Sequence, residues 1–197
     1  GNEFVDESTR FLFAFIFTQK RMRLLSLNQI KCKDPVDLLK NVMLLVTAIS
    51  LPGLHLSDCD CFDSDTFSQF LSALSVQKPN YFRSLFFSNS KAGSNGLIAL
   101  NDLLKKCPYL IEIEADGFEP KEKEPLIDFW KSVARHKTIA TCGFPTKDFN
   151  KLGIQLDNLQ SEDQNLLKSL ERKCESSTPG KRDAFNNLQS SRKEIMA

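Results

Sequence analysis

Residues 51–59, Leu51-Pro-Gly-Leu54-His-Leu56-Ser-Asp-Cys59, place apolar or small side chains at the first, fourth, sixth and ninth positions. The alternation of Leu54 and Leu56 about a polar residue predicts a short strand with one buried face. A second apolar pattern follows at the three- and four-residue spacing of a helix, on Phe67, Phe70, Leu71 and Leu74. The stretch therefore predicts one strand–helix unit, with its helix beginning near Ser64.

Three further segments carry the same spacing of apolar residues. They are Met22–Ile30, Phe82–Ser90 and Leu110–Phe118, and His136–Phe144 is a degenerate fifth copy centred on Ile139 and Thr141. The fourth positions of the five segments stand 29, 31, 28 and 26 residues apart, at Leu25, Leu54, Leu85, Ile113 and Ile139. A period in the high twenties leaves room for a strand, a helix and two turns in each unit.

Helical spacing follows the strand segments. One helix is predicted over Pro35–Ser50, because Asp34 suits an N-cap and proline suits the first helical position. Others are predicted over Ser94–Lys106 and from Pro125 onward. Each helix turns one apolar stripe toward the core that the strands also face, so neighbouring units must stack to bury both elements.

The two ends of the chain lack this pattern. Residues 1–19 are interpreted as an N-terminal capping helix, capped at Ser8 or Thr9, or as the end of a preceding repeat; a buried strand is the alternative for the apolar run at 11–17. Residues 146–175 are predicted to form a C-terminal capping helix region interrupted at Ser161–Gln164. Residues 176–197 are a polar tail, expected to be mobile or docked on something outside the chain.

The overall composition excludes several classes of protein. A net charge of +1 gives no global attraction to nucleic acid or to a membrane surface, and no apolar run reaches the length of a membrane span. Six cysteines are scattered, and several fall where a small buried residue is wanted. We therefore expect reduced cysteines and an intracellular location, cytoplasmic or nuclear.

The pattern of strands and helices resembles the leucine-rich-repeat superfamily, with the long repeats of the ribonuclease-inhibitor type. The likeness covers roughly residues 20–145 and is carried by the segments that begin at Met22, Leu51, Phe82 and Leu110. The resemblance implies an α/β fold: a short right-handed solenoid of about five repeats, with parallel strands on the concave side and helices on the convex side. A more distant, architectural likeness is to actin regulators of the tropomodulin type.

In this superfamily the concave wall of strands usually binds protein, which directs attention to the side chains that alternate with the buried ones. These candidate partner-binding residues are Ser26, Asn28, His55, Ser57, Phe86, Ser88, Glu114 and Asp116, with Ala140 and Cys142 at the same positions of the fifth copy. Phe86 stands out as an aromatic residue expected on the open wall; the alternative is that it packs under the tail or a loop. Glu112, Glu114, Asp116 and Glu119 form an acidic cluster, suited to a basic partner or simply a solvated rim.

The motifs of common chemistries are missing from the chain. His55, Cys59 and Cys61 are residue types that bind metal ions. The strand geometry argues against a metal site, because the histidine should point outward and Cys59 inward, and no second cysteine pair has zinc-ligand spacing. Neither histidine belongs to a recognisable catalytic triad, and Lys91–Gly96 lacks the lysine placement of a phosphate-binding loop. The sequence therefore predicts no enzyme activity, cofactor or small-molecule substrate, and basic patches without interleaved aromatics make nucleic-acid binding a minor alternative.

The main hypothesis from the sequence is a non-catalytic protein–protein interaction module that binds its partner through the concave face. Two alternatives stay open: a regulator of a GTPase or of actin assembly built on the same repeat, and a repeat segment of a larger scaffold with a self-associating tail.

Overall fold

A computed structural model describes residues 3–4, 6–19, 21–59, 61–77 and 79–175, so the predicted tail at 176–197 lies outside the described residues. The helices are α1 (Asp6–Phe17), α2 (Pro35–Ile49), α3 (Ser64–Val76), α4 (Gly93–Leu104), α5 (Lys123–Arg135), α6 (Thr146–Lys151) and α7 (Ser161–Glu175), with a 3-10 turn at Leu156–Asn158. The strands are β1 (Glu3–Phe4), β2 (Leu24–Ser26), β3 (Lys31–Cys32), β4 (Gly53–His55), β5 (Ser84–Phe86), β6 (Glu112–Glu114) and β7 (Thr141–Cys142).

Five of the strands form one parallel sheet in chain order, β2-β4-β5-β6-β7. At least one helix separates each strand from the next, as parallel pairing requires, because a two-residue turn cannot return the chain to the same end of the sheet. The predicted α/β class with a parallel sheet is therefore confirmed. β1 and β3 pair separately as a parallel two-stranded sheet, which the sequence pattern did not predict.

The register of the sheet aligns one buried residue from every strand. Leu25, Leu54, Leu85, Ile113 and Cys142 lie side by side, 29, 31, 28 and 29 residues apart, and none is more than 5% exposed. The predicted centre of the fifth segment was wrong by three residues. Ile139 is buried before β7 rather than in it, and Cys142, predicted to face outward, is the buried residue. The pattern missed this because it counted Thr141 as the inward residue, whereas the small Cys142 fills that position.

A left-handed residue recurs after the strands, at the same distance from each buried position. Positive φ angles of 55°, 58°, 57° and 78° occur at Gln29, Asp58, Asn89 and Gly117. Glycine is required at the last of these, since a Cβ on Gly117 would approach Asn89 Oδ1 to 2.5 Å. The four turns direct the chain away from the sheet in the same way, and the backbone N–H groups of Asp58 and Asn89 donate to carbonyl oxygens of the next segment along, on Ser88 and Asp116.

The core between sheet and helices is built largely from phenylalanine. The Phe67 ring, fully buried on α3, lies 5.5 Å from Phe87 and 6.5 Å from Phe118 in edge-to-face geometry, and also contacts Phe62 and Phe70. Such ring pairs add to the free energy of burial. Because these rings come from three successive strand–helix units, the core is continuous along the sheet.

The helix ends follow the local sequence. The Asp34 carboxylate accepts a hydrogen bond of 2.9 Å from the N–H of Asp37 and caps α2. Asp63 does the same for α3 through Thr66 N, and this bond lowers the pKa of the Asp63 carboxyl. In each of these helices, at least one N–H group of the first turn therefore has an acceptor.

At the N-terminus the helical interpretation of the apolar run is correct, but its predicted cap is not. α1 begins at Asp6, so Ser8 and Thr9 lie within the helix. Phe13 and Ile16 are buried, whereas Phe11 is 76% exposed. The three-residue interval between the two buried side chains places them on one face of the helix.

At the other end, α7 packs against α5 and β7 and covers the last strand of the sheet. Leu167 and Leu170 are buried in this contact. The predicted interruption at Ser161–Gln164 was wrong, since these residues form the first turn of α7. Serine and acidic residues that discourage a helix interior are favoured at a helix start, where the N–H groups carry partial positive charge. None of the described helices is long and apolar enough to cross a membrane.

The phenylalanine core gives a first prediction. Phe67→Ala should lower the free energy of unfolding by about 3–5 kcal/mol, because it leaves a cavity where four other rings meet. Urea denaturation monitored by circular dichroism measures the change. The matched variant Phe11→Ala should change stability by less than about 0.5 kcal/mol, since that ring is mostly in solvent. A similar loss in both variants would contradict the assignment of Phe67 to the core.

Candidate functional site

In the part of the chain that the structure describes, one face of the five-stranded sheet keeps side chains exposed to solvent, and we define this open face by the side chains that alternate with the buried residues. One row across it contains Ser26, His55, Phe86 and Glu114, and a neighbouring row contains Leu24, Gly53, Ser84, Glu112 and Thr141. All of these residues except buried Gly53 are partly or fully exposed. The sequence-predicted residues Ser26, His55, Phe86 and Glu114 are thus brought into one row.

Phe86 lies on the central strand of the sheet, where its ring is half-buried. The ring centroid is 5.1 Å from that of His55 on β4, with the planes tilted by 53°. The register pairs Phe86 with Glu114 on its other side. An aromatic surface therefore occupies the middle of the open face, with an imidazole on one side and a carboxylate on the other.

A hydrogen-bond network fixes His55 from the side of β2. Asn28 Oδ1 accepts the backbone N–H of Ser57 at 3.2 Å, which leaves the Asn28 amide nitrogen 3.0 Å from His55 Nδ1. Because an amide nitrogen only donates, Nδ1 accepts and the imidazole proton resides on Nε2. Burial lowers the pKa of His55, partly opposed by the negative charge of Asp58. The ring is therefore held in its neutral form.

The open face becomes acidic toward β6. Glu112 and Glu114 project on the same side of this strand because they are two residues apart. Ser84 Oγ donates to Glu112 Oε2 at 2.9 Å. The Glu114 side chain extends over the backbone of Gly143, and a Cβ added to Gly143 would lie 3.6 Å from Glu114 Cγ. Two carboxylates thus flank the aromatic centre on one side, while β2 and β4 contribute uncharged groups.

Some predicted site residues have structural partners instead. The Asp116 carboxylate accepts hydrogen bonds from the backbone N–H groups of Lys147 and Asp148 at the start of α6, and from that of Gly117. Ser57 is only 4% exposed. Asn28 is occupied by the bonds described above, and Ser88 is partly exposed at the end of its strand. Asn28 and Asp116 thus organise the carboxyl-terminal edge of the sheet through their hydrogen bonds, whereas Ser57 is buried and Ser88 keeps some exposure.

Asp148 completes a reciprocal pair of carboxylates at that edge. Its two oxygens accept the N–H groups of Phe118 and Glu119, each at 2.9 Å, while Asp116 accepts the N–H of Asp148 itself. Burial raises the pKa of Asp148 despite these donors, and the nearby Asp116 raises it further. We call Asp116 and Asp148 the aspartate clasp, since it joins the turn after β6 to α6.

Sequence reasoning missed two other features around the sheet. At its carboxyl-terminal edge a polar cavity of about 180 Å³ is lined by Asn89, Lys91, Gly117, Glu119, Lys147, Asp148 and Lys151. At its amino-terminal edge the guanidinium of Arg83 stacks 4.9 Å from the centroid of Tyr109, which is 55% exposed. The four-residue spacing from Lys147 to Lys151 was the only signal for the cavity. The Arg83 contact joins residues from different units, so no local pattern could show it.

His55 and the nearby cysteines do not converge on a common point. His55 lies on the open face, whereas Cys59 is 1% exposed and its thiol donates to Leu27 O at 3.1 Å. Within the part of the chain that the structure describes, no three histidine, cysteine or acidic side chains are placed to hold a metal ion.

Comparison with protein-family models, with curated proteins and with solved structures found no match.

The His55 network predicts a pH dependence. With a folded pKa below its ordinary value of 6.5, His55 binds its proton less tightly in the folded protein than in the unfolded chain. Its contribution to stability is complete above about pH 6.5 and is lost as the pH falls through the lower folded pKa. The free energy of unfolding, measured by urea denaturation between pH 7.5 and about pH 5, should show this loss. His55→Gln should reduce the dependence of that free energy on pH.

Proton NMR titration gives the direct measurement for His55. Its imidazole signals should titrate below the ordinary histidine range, and His136→Gln, which removes the other histidine, should leave that titration unchanged. A His55 midpoint at or above 6.5 would refute the neutral, amide-bonded ring.

The aspartate clasp gives a further prediction. Asp148→Ala should lower the free energy of unfolding by about 1–3 kcal/mol, because it leaves the N–H of buried Phe118 without its acceptor. Chemical denaturation measures the loss. The matched variant Asp157→Ala removes a carboxylate that lies on the surface beside Lys168 and should leave stability almost unchanged. Equal effects of the two changes would show that the clasp contributes nothing specific.

Proposed function

We propose that the chain is a right-handed leucine-rich-repeat solenoid of about five repeats, with the parallel sheet on its concave side. Three recurring features support this assignment: the aligned buried residue in each strand, the left-handed turn after the first four strands of the five-stranded sheet, and the helix before each following strand. Stacked units that share one core are characteristic of such arrays.

On this fold we propose a non-catalytic protein-binding module whose concave surface is the open face. The observation that carries the proposal is Phe86, a partly exposed aromatic ring on the central strand of the sheet. Aromatic residues near the centre of a surface contribute a large share of binding energy when a partner removes them from water. His55 holds one side of the ring and thereby reduces the entropy that binding would cost.

The charge of the open face favours a partner with a basic surface beside an apolar one. Glu112 and Glu114 lie next to Phe86, and the β2 and β4 side of the face presents no charged residue in the row of Ser26 and His55. An apolar side chain of the partner would cover Phe86 while a lysine or arginine approached the carboxylates. Such complementarity raises the association rate and makes it sensitive to salt.

The proposal predicts that changes on the open face abolish binding while the fold is retained. The double variant Phe86→Glu, Glu114→Arg removes the aromatic anchor and reverses one charge. Capture from a cell extract, followed by a titration of the purified partner, should show at least a tenfold loss of affinity, equivalent to about 1.4 kcal/mol.

A matched double variant on the helix side controls for charge and hydrophobicity. Ile98→Glu, Asp102→Arg makes the same kinds of change on α4, where Ile98 is 51% exposed. This variant should keep the partner. Retention of the partner by the open-face variant, or equal loss in both, would overturn the assignment of binding to the open face.

A further inference from the structure

Two cysteines from distant parts of the chain meet where α7 covers the last strand of the sheet. Cys142 on β7 and Cys174 near the end of α7 are thiols whose Sγ atoms lie 2.9 Å apart. They are 32 residues apart in the sequence, so the contact depends on the docking of α7 and not on local geometry. A disulfide would need the sulfurs to close only to about 2.05 Å.

We propose that Cys142 and Cys174 form a dithiol site that is oxidised to a disulfide by a small disulfide oxidant of the oxidised-glutathione class. The site ties α7 covalently to β7 when it is oxidised and leaves the helix held by noncovalent contacts when it is reduced, among them the ion pair of Lys131 with Asp163. This proposal is independent of the partner-binding role of the open face.

The reaction proceeds by two thiol–disulfide exchanges. Cys174 is partly exposed while Cys142 is 4% exposed, so the Cys174 thiolate attacks the oxidant first and forms a mixed disulfide, releasing one glutathione. The Cys142 thiolate then attacks Cys174 Sγ, forms the internal disulfide and releases the second glutathione. Together the two cysteines lose two electrons and two protons. The oxidant takes up these electrons and protons and is converted to two reduced glutathione molecules.

The environments of the other cysteines favour this pair. Cys59 and Cys107 are buried, and their thiols point to the backbone carbonyl oxygens of Leu27 and Pro79. Cys32 contacts Cys61, but burial and this neighbour raise the pKa of Cys32 to about 12. A thiol with so high a pKa supplies little thiolate at neutral pH and exchanges slowly.

The position of the pair determines what oxidation to a disulfide would change in the protein. β7 is the terminal strand of the sheet, and α7 covers its core side through Leu167 and Leu170. An uncovered terminal strand would expose core to water, as at the ends of any stacked array. The disulfide would also link the two cysteines, 32 residues apart in the sequence, in the unfolded chain. This link lowers the conformational entropy that α7 gains on detaching.

The test uses the full chain equilibrated in buffers of defined ratios of reduced to oxidised glutathione, then alkylated and digested without reduction. Mass spectrometry should find a peptide that links Cys142 to Cys174, with the loss of two hydrogens, at ratios where the other four cysteines remain alkylated. Oxidation should also raise the thermal midpoint of unfolding.

Matched variants separate the pair from the other thiols. Cys174→Ser should abolish the linked peptide and the rise in thermal midpoint, whereas Cys32→Ser should preserve both. Cys174 is the better position to change because its side chain is partly exposed, whereas Cys142 belongs to the buried core. A glutathione adduct that persists on Cys174 without resolving, or a Cys32–Cys61 link formed at ratios where Cys142 and Cys174 stay alkylated, would overturn the proposal.

Discussion

The in-register pairing of very short strands is the constraint on which the remaining structure depends. The five strands β2, β4, β5, β6 and β7 contribute two or three residues each to the sheet, too few to hold a strand in isolation. Their stability comes from one buried side chain per strand that lies beside its equivalents, from Leu25 to Cys142. The intervening chain must therefore be long enough for a helix and must return to the same height in the sheet. The left-handed residue after each of the first four strands of this sheet meets this requirement by turning the chain toward the helices at the same point.

A stacked sheet must also solve the problem of its ends, and here the two ends differ. At the carboxyl-terminal end, α7 covers the last strand and the aspartate clasp fastens α6 to the turn after β6. The clasp consists of the buried Asp148 and the partly exposed Asp116, and the backbone N–H groups that their carboxylates accept offset the cost of desolvating them. At the amino-terminal end, α1 packs against α2 and leaves Phe11 and Phe15 largely exposed. The carboxyl-terminal end is thus held by polar bonds as well as by packing.

The sequence predicted the parts of this fold that depend on local periodicity. The alternation of Leu54 and Leu56, and the helical spacing after them, identified β4 and α3 closely, and Asp34-Pro35 located the start of α2. It failed where a residue type serves two purposes. Cys142 was placed on the outward side because Thr141 was counted as the inward residue, although cysteine packs as a small apolar side chain. Ser161 and Glu162 were read as a break although they suit a first helical turn. Contacts between units, such as Arg83 on Tyr109 and Lys147 on Asn89, have no local signal.

On the open face, the requirements of folding account for some of the outward residues but not for all of them. Asp116 and Ser57 alternate with buried residues just as Phe86 does, yet hydrogen bonds or burial within the chain account for them. His55 is partly accounted for by Asn28. Phe86 is different, because the core is complete without it: Leu85 and Phe87 on either side are fully buried. A serine at this position would satisfy the strand, as Ser26 does in β2, and would avoid the hydration cost of a partly exposed ring. The folding requirement thus explains the neighbours of Phe86 but not Phe86 itself, and this residue is where a role in binding has the strongest physical basis.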